Sequence, residues 1–114
     1  MQAKRLDRVN QLIKEEISLL LQRELKDPRL GFVSVTDVET TSDLRSAKVF
    51  VSVLGSEDQW ASSLAALESA KGFIRNWLRH HLDLRATPTL DFRADRSMEH
   101  AANIQALLRR LKHE

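Results

Sequence analysis

Apolar residues recur at helical spacing from about Ala3 to Leu25, at Leu6, Val9, Ile13, Ile17, Leu20 and Leu21. They predict an amphipathic helix that Asp27-Pro28 ends, because the residue before a proline is pushed out of the helical region. After a turn at Pro28 to Gly31 the period changes. Phe32 to Val38 is rich in β-branched residues, and in Ala47 to Leu54 the residues Ala47, Val49, Val51 and Val53 share one face. The polar stretch Thr40 to Ser46 joins the two as an antiparallel hairpin, which Gly55 closes. Ser56, with Gln59 three residues on, fits a capping box that starts the next helix at about Glu57.

The stretch from Ser56 to Leu84 organises the rest, and its pivot is Ala70-Lys71-Gly72. Before the pivot Trp60, Leu64, Leu67 and Ala70 fall on one helical face; after it Ile74, Trp77, Leu78 and His81 form a second. A glycine inside a helical pattern costs about 1 kcal/mol relative to alanine, so it needs a reason. One reason is a bend that lets two helices pack. The other is close approach of a backbone or ligand. Lys71, Arg75 and Arg79 lie four residues apart, on one stripe beside the apolar face and just inside a helix start, the end of a helix that anions prefer. The second reason is therefore favoured.

The helix pair ends near Asp83-Leu84, and Pro88 punctuates. Thr89 to Asp95 alternates, with Leu90, Phe92 and Ala94 inward, as a half-buried strand. Ser97 caps a last helix with Glu99 in its first turn and the stripe Ala101, Ile104, Leu108 and Leu111; Arg109, Arg110 and Lys112 sit at its C-terminal end, as the macrodipole prefers. The order is helix, strand, strand, helix, kink, helix, strand, helix. A three-stranded sheet with helices on one face buries these stripes, an α+β architecture whose other sheet face is wetter.

A chain of 114 residues forms one domain, residues 1–114. Without cysteine it has neither disulfides nor thiolate–metal sites, which fits a reducing cytosol. No apolar run approaches the roughly 20 residues needed to span a bilayer, and the charged N-terminus shows no secretory signal. The net charge of +2 is unevenly spread: residues 1–31 carry +2, residues 32–68 carry −4, residues 69–96 carry +3 and residues 97–114 carry +1. The pivot and the helix after it form the positive end, a modest nucleic-acid footprint that competes with the reading of a solvated charged face.

Catalytic constellations are lacking. His80, His81, His100 and His113 have no metal-ligand spacing, and His81, on the apolar face, reads as a packed structural histidine. There is no GxSxG, P-loop or GxGxxG. Asp91 and Asp95, four apart on the outer face of one strand, read as solvated rather than cation-binding. Trp60 and Trp77 lie on apolar faces and read as core, so stacking platforms for unpaired bases find little support, and RNA binding should rest on backbone charge and shape.

The element order resembles the type II KH fold of RNA-binding proteins, which usually carries a GxxG loop between its two helices. Here Ala70-Lys71-Gly72 occupies that junction. An A-x-G kink in a KH-like domain is characteristic of the ribosome-binding factor A family of bacterial small-subunit assembly factors. Arg5-Leu6-Asp7-Arg8-Val9, Glu16-Ile17-Ser18, Leu25 to Thr36, Ala47 to Gly55, Gly72-Phe73-Ile74-Arg75 and Leu84-Arg85 with Pro88, Leu90, Phe92 and Asp95 carry the same resemblance across nearly the whole chain. The resemblance implies a monomeric, cytoplasmic, non-enzymatic factor without cofactor or metal. Such a factor joins the free, immature small (30S) subunit and assists late maturation of its 16S rRNA, including 5′-end processing. It matters most in the cold and has assembly GTPases as functional partners. The chain is shorter at its C-terminus than several relatives, so no role of their tail is carried over, and without GxxG neither is the four-nucleotide clamp.

The candidate RNA-binding residues are Ala70, Lys71, Gly72, Arg75 and Arg79, with Arg5, Arg8, Arg23, Lys26 and Arg85 extending the footprint. A basic module for an acidic protein partner is the alternative. A helix-turn-helix DNA binder lacks an obvious dimer seam, and a nuclease lacks any acid–base or metal constellation.

Overall fold

A computed structural model describes the backbone of residues 2–112 and the side chains of residues 4–99 and 105–112. The elements are α1 (Gln2–Arg23), β1 (Phe32–Thr40), β2 (Ser46–Leu54), α2 (Glu57–Ser69), α3 (Lys71–His81), β3 (Thr89–Ala94) and α4 (Ser97–Lys112). The sheet order is β1-β2-β3, with β1 antiparallel to β2 and β2 parallel to β3. The expected element order and α+β class are met.

Three helices cover one sheet face. Val9, Ile13, Ile17 and Leu20 of α1, Leu67 of α2, and Ile74 and Leu78 of α3 share a core with Val35, Val38, Ala47, Val49, Val51 and Leu90 of the strands. The valines at 33 and 35 alternate out of phase with Val38, and the sheet resolves this with a bulge: Val35 pairs with Val51 and Asp37 with Phe50, so Thr36 is the extra residue. The bulge returns Val38 to the core face. The Thr36 hydroxyl donates to Asp95 Oδ2 at 2.6 Å, and that bond, with further bonds from Ser97, holds the Asp95 carboxyl below its usual range.

Helix α1 stops at Arg23, short of the proline, because the N–H groups of Glu24 and Leu25 both turn back to the Leu20 carbonyl. Asp27 then accepts from the Arg29 N–H and pairs with its guanidinium, shaping the turn. Ser63, fully buried on α2, accepts from the Gly31 N–H at 3.1 Å and fixes that turn to the helix layer. The polar hairpin loop hides one core residue: Leu44, at φ 61°, is buried.

The capping box is present. Ser56 Oγ accepts from the Gln59 N–H at 3.3 Å, and Gln59 Oε1 accepts from the Ser56 N–H at 2.7 Å. Gly55 makes room for it. Its φ is +152°, and a Cβ there would lie 1.9 Å from Gln59 Oε1.

Two expectations need correction at the C-terminal end. Ala94 is exposed, at the last pairing of β3. The stripe of α4 does not pack on the sheet: Leu108 and Leu111 are 59% and 61% exposed, while the side chains of Ala101 and Ile104 lie outside the described residues. The inner sheet face is already covered by α1, α2 and α3. What ties α4 down is its start. Arg96 makes two bonds to the Glu57 carboxylate, at 2.7 and 2.8 Å, and lies 4.2 Å over the Trp60 ring, whose Nε1 donates to Glu99 at 3.1 Å. The Arg96 hydrogen bonds hold the Glu57 carboxyl below its ordinary value.

Candidate nucleic-acid interface

The kink is one residue wide. Ala70, at φ −90° and ψ 1°, ends α2 and starts α3, and no side chain caps the new helix. Gly72, two residues on, faces open space: beyond its own helix backbone and chain neighbours, a Cβ added there would have nothing within 4 Å among the described residues. The glycine is therefore required neither by the bend nor by helix packing. It leaves a bare stretch of helix backbone at the surface, beside cationic side chains.

Gly72, Arg75, Asn76, Arg79 and Thr87 line an open groove of about 210 Å³. Arg75 is fixed in place, because its Nε donates to the Pro88 carbonyl and its Nη2 to the Thr87 carbonyl, both at 3.0 Å. A guanidinium has five N–H donors, so a fork remains for an anion. Arg79 Nη2 donates to Asn76 Oδ1 at 2.8 Å. Both arginines bond neutral oxygens, and neither forms an ion pair among the described residues. Lys71 differs: its ammonium pairs with Glu68 at 2.6 Å and also neighbours Asp91. It is not among the residues that line the groove, and part of its charge is already answered.

Arg5 and Arg85 meet in a second cleft of about 120 Å³, with Leu6, Ser42, Asp43 and Leu44. Arg85 and Thr87 belong to the same loop between α3 and β3, and each lines one of the two clefts. Arg8 is exposed one helical turn from Arg5. Arg23 lies about 27 Å from Arg5 along α1. Lys26 follows it, in a separate cleft with Asp27, Leu30 and Gly31. Five of the candidate residues, Arg5, Gly72, Arg75, Arg79 and Arg85, thus gather around one loop, with Arg8 and Lys71 at its margins and Arg23 and Lys26 at the far end of α1.

The aromatic side of α3 departs from expectation. Trp77 is half-buried, donating through Nε1 to Glu16 at 3.1 Å, and His81 is exposed rather than packed, stacked on Trp77 at 3.8 Å between ring centroids. A helix face read as wholly apolar is here an edge, half against α1 and half in solvent. Asp91 is paired with Arg93 at 2.8 Å and Asp95 is engaged by Thr36, so the two carboxylates are committed separately. Among the described residues no group of three or more His, Asp or Glu is placed to hold a metal ion, and no helix is long and apolar enough to cross a membrane. Sequence reasoning missed Asn76, Thr87 and Phe73. Only Phe73 had a signal, being one helical turn before Trp77.

The family model described as ribosome-binding factor A matches residues 5–108. The chain belongs to the ribosome-binding factor A family. It is 50% identical over 107 residues to the ribosome-binding factor A of Thermomicrobium roseum, covering 94% of this chain and 83% of that protein. With the Brevibacillus brevis member it shares 49% over 110 residues, covering 96% and 91%. The fold is similar to the crystal structure of ribosome-binding factor A from Thermus thermophilus, at a TM-score of 0.70 and 25% identity, over 78% of this chain and 94% of that one. It is similar too to coordinates of the Thermus thermophilus ribosome-binding factor A fitted into a cryo-EM map of a 30S complex, at a TM-score of 0.64 and 26% identity, covering 76% and 91%.

Proposed function

We propose that this chain, acting as one RNA-binding unit over residues 1–114, binds the free, immature small ribosomal subunit and assists late maturation of its 16S rRNA, including 5′-end processing. The reading has two supports: membership of the ribosome-binding factor A family, and a relative whose coordinates were fitted into a map of a 30S complex. It is a monomeric cytoplasmic factor that makes and breaks no bond, acts alongside assembly GTPases, and matters most in the cold. Arg75 and Arg79 contact rRNA phosphates, Gly72 lets the strand approach the helix backbone, and Arg5, Arg8, Arg85 and Lys71 extend the footprint. Arg23 and Lys26 reach a separate part of the particle. With about six phosphates neutralised, log affinity falls with log salt at a slope of roughly −4 to −5.

The observation that carries the site is the open space at Gly72 beside two guanidiniums that bond neutral oxygens. Gly72→Ala separates stability from binding. Alanine is favoured over glycine in a helix by about 1 kcal/mol, and nothing obstructs its methyl, so the melting temperature rises by about 4 °C or more. Co-sedimentation with free small subunits falls in the same variant. A variant that melts higher and binds as before would refute the close approach.

A further inference from the structure

We infer that the flank of α3 opposite its arginines is a seat for an unpaired nucleobase of an RNA strand. The inference rests on the phosphate-binding reading of Arg75 and Arg79 and adds the class of RNA that the site takes.

Phe73, in the first turn of α3, is 50% exposed. With Asn76, Trp77, His80 and His81 it lines an open groove of about 190 Å³. Three of the rings of that groove, those of Trp77, His80 and His81, are held in place. Trp77 is tied to Glu16 through Nε1 and lies nearly parallel to His81, at 12° between planes. The Nδ1 atoms of His80 and His81 lie 2.7 and 2.9 Å from the carbonyls of Asn76 and Trp77. A carbonyl only accepts, so both Nδ1 atoms donate. Ordered aromatic surface of this kind loses little freedom when a base stacks on it.

Helical geometry relates this groove to the cationic one. At about 100° per residue, Gly72 and Asn76 lie along the exposed crest of α3. Arg75 falls down one side of that crest, with Arg79 beside it, and Phe73 and Trp77 fall down the other. Asn76 lines both grooves. Its Oδ1 accepts from Arg79, which leaves its amide N–H groups for a ribose or a base edge. A nucleotide carries its phosphate and its base on opposite sides of the sugar. A strand crossing the crest at Gly72, where no side chain stands, puts the phosphate among the guanidiniums and the base against Phe73. In a duplex the base faces are already stacked, so only an unpaired nucleotide offers a ring to this seat. The cations on one side and the bare backbone between select RNA over a protein segment as the occupant.

The test uses the intrinsic fluorescence of the full chain. Trp60 is 1% exposed and Trp77 is half-buried, so quenching by a bound base reports Trp77. A short oligoadenylate is compared with an abasic ribose-phosphate strand of equal length. Oligoadenylate binds more tightly, by about tenfold, and quenches. Phe73→Ala lowers its affinity to that of the abasic strand, whereas Phe73→Tyr keeps the preference. Equal affinity of the native chain for the two strands, or an unchanged preference in Phe73→Ala, overturns the seat while salt-dependent binding of both strands leaves the phosphate reading standing. Absence of binding to either strand overturns both. A Phe73→Ala variant that keeps its RNA affinity but loses affinity for purified small-subunit proteins assigns the patch to a protein partner and overturns the inference.

Discussion

Replacing Arg79 and Arg85 together by glutamate weakens binding to free small subunits by about 100-fold, with the fold unchanged. Both side chains are exposed. Among the described residues Arg79 bonds only the exposed Asn76, and Arg85 lines a second cleft, so charge reversal removes two phosphate partners and installs two repulsive charges without leaving a buried group unpaired. Arg75 is the poorer choice for this experiment because its bonds to Thr87 and Pro88 also hold the loop before β3. The neutral pair Arg79→Ala/Arg85→Ala gives the finer measurement: the slope of log affinity against log salt becomes shallower by roughly 2. Co-sedimentation at several salt concentrations, with circular dichroism to confirm the fold, reads both effects. Small-subunit affinity unchanged in the glutamate variant would move the interface elsewhere.

Ile74→Ala is expected to cost about 3 kcal/mol of stability and to lower the melting temperature by roughly 10 to 20 °C. Ile74 is fully buried two residues after Gly72, and with Leu78 it sets α3 against the core shared with α1 and the sheet. Truncation leaves a cavity under the first turn of α3, the turn that presents Gly72 and Arg75. Affinity for small subunits then falls even at temperatures where the variant is folded, because the two grooves lose their common support. Thermal unfolding together with binding at low temperature distinguishes the two losses. A small change in melting temperature would mean that α3 is held mainly by the Arg75 and Trp77 hydrogen bonds rather than by packing.

The parts of this molecule that are legible in its sequence are those set by local chemistry. Ser56 and Gln59 specify a helix start by themselves, and the structure has both bonds of the box. The alternation of Ala47, Val49, Val51 and Val53 needs no knowledge of the neighbouring strands to name a buried face, and all four are buried. A costly helical glycine marks the neighbourhood of the kink, although the bend itself falls at Ala70 and does not require it. Long-range compensation is not visible. Leu44 sits in a stretch of polar residues and reads as loop, yet the gap between α1 and the hairpin claims it. Ser63 reads as a polar interruption on α2, yet the turn at Gly31 needs its oxygen. The phase change from Val35 to Val38 signals the bulge at Thr36 only once the pairing is known.

The same distinction applies to the site. Spacing by four puts Lys71, Arg75 and Arg79 on one stripe, but it cannot say that Glu68 answers Lys71 or that two loop carbonyls orient Arg75. Nor can it join Arg5 to Arg85, which are 80 positions apart in the chain and share a cleft. The apolar stripe of α4 reads as core because periodicity reports amphipathicity, not what remains to be covered. The sheet has one inner face, and three helices fill it.

The most direct measurement exploits the absence of cysteine from the chain. A single cysteine placed at Ser69, exposed beside the kink, or at Glu39, exposed on β1, carries an iron chelate that cuts nearby RNA when the protein is bound to free small subunits. The chelate at position 69 is expected to cut a confined set of 16S rRNA nucleotides, and the chelate at position 39 to cut few or none. Strong cutting from position 39 with none from position 69 would mean that the kinked helix pair faces away from the ribosomal RNA.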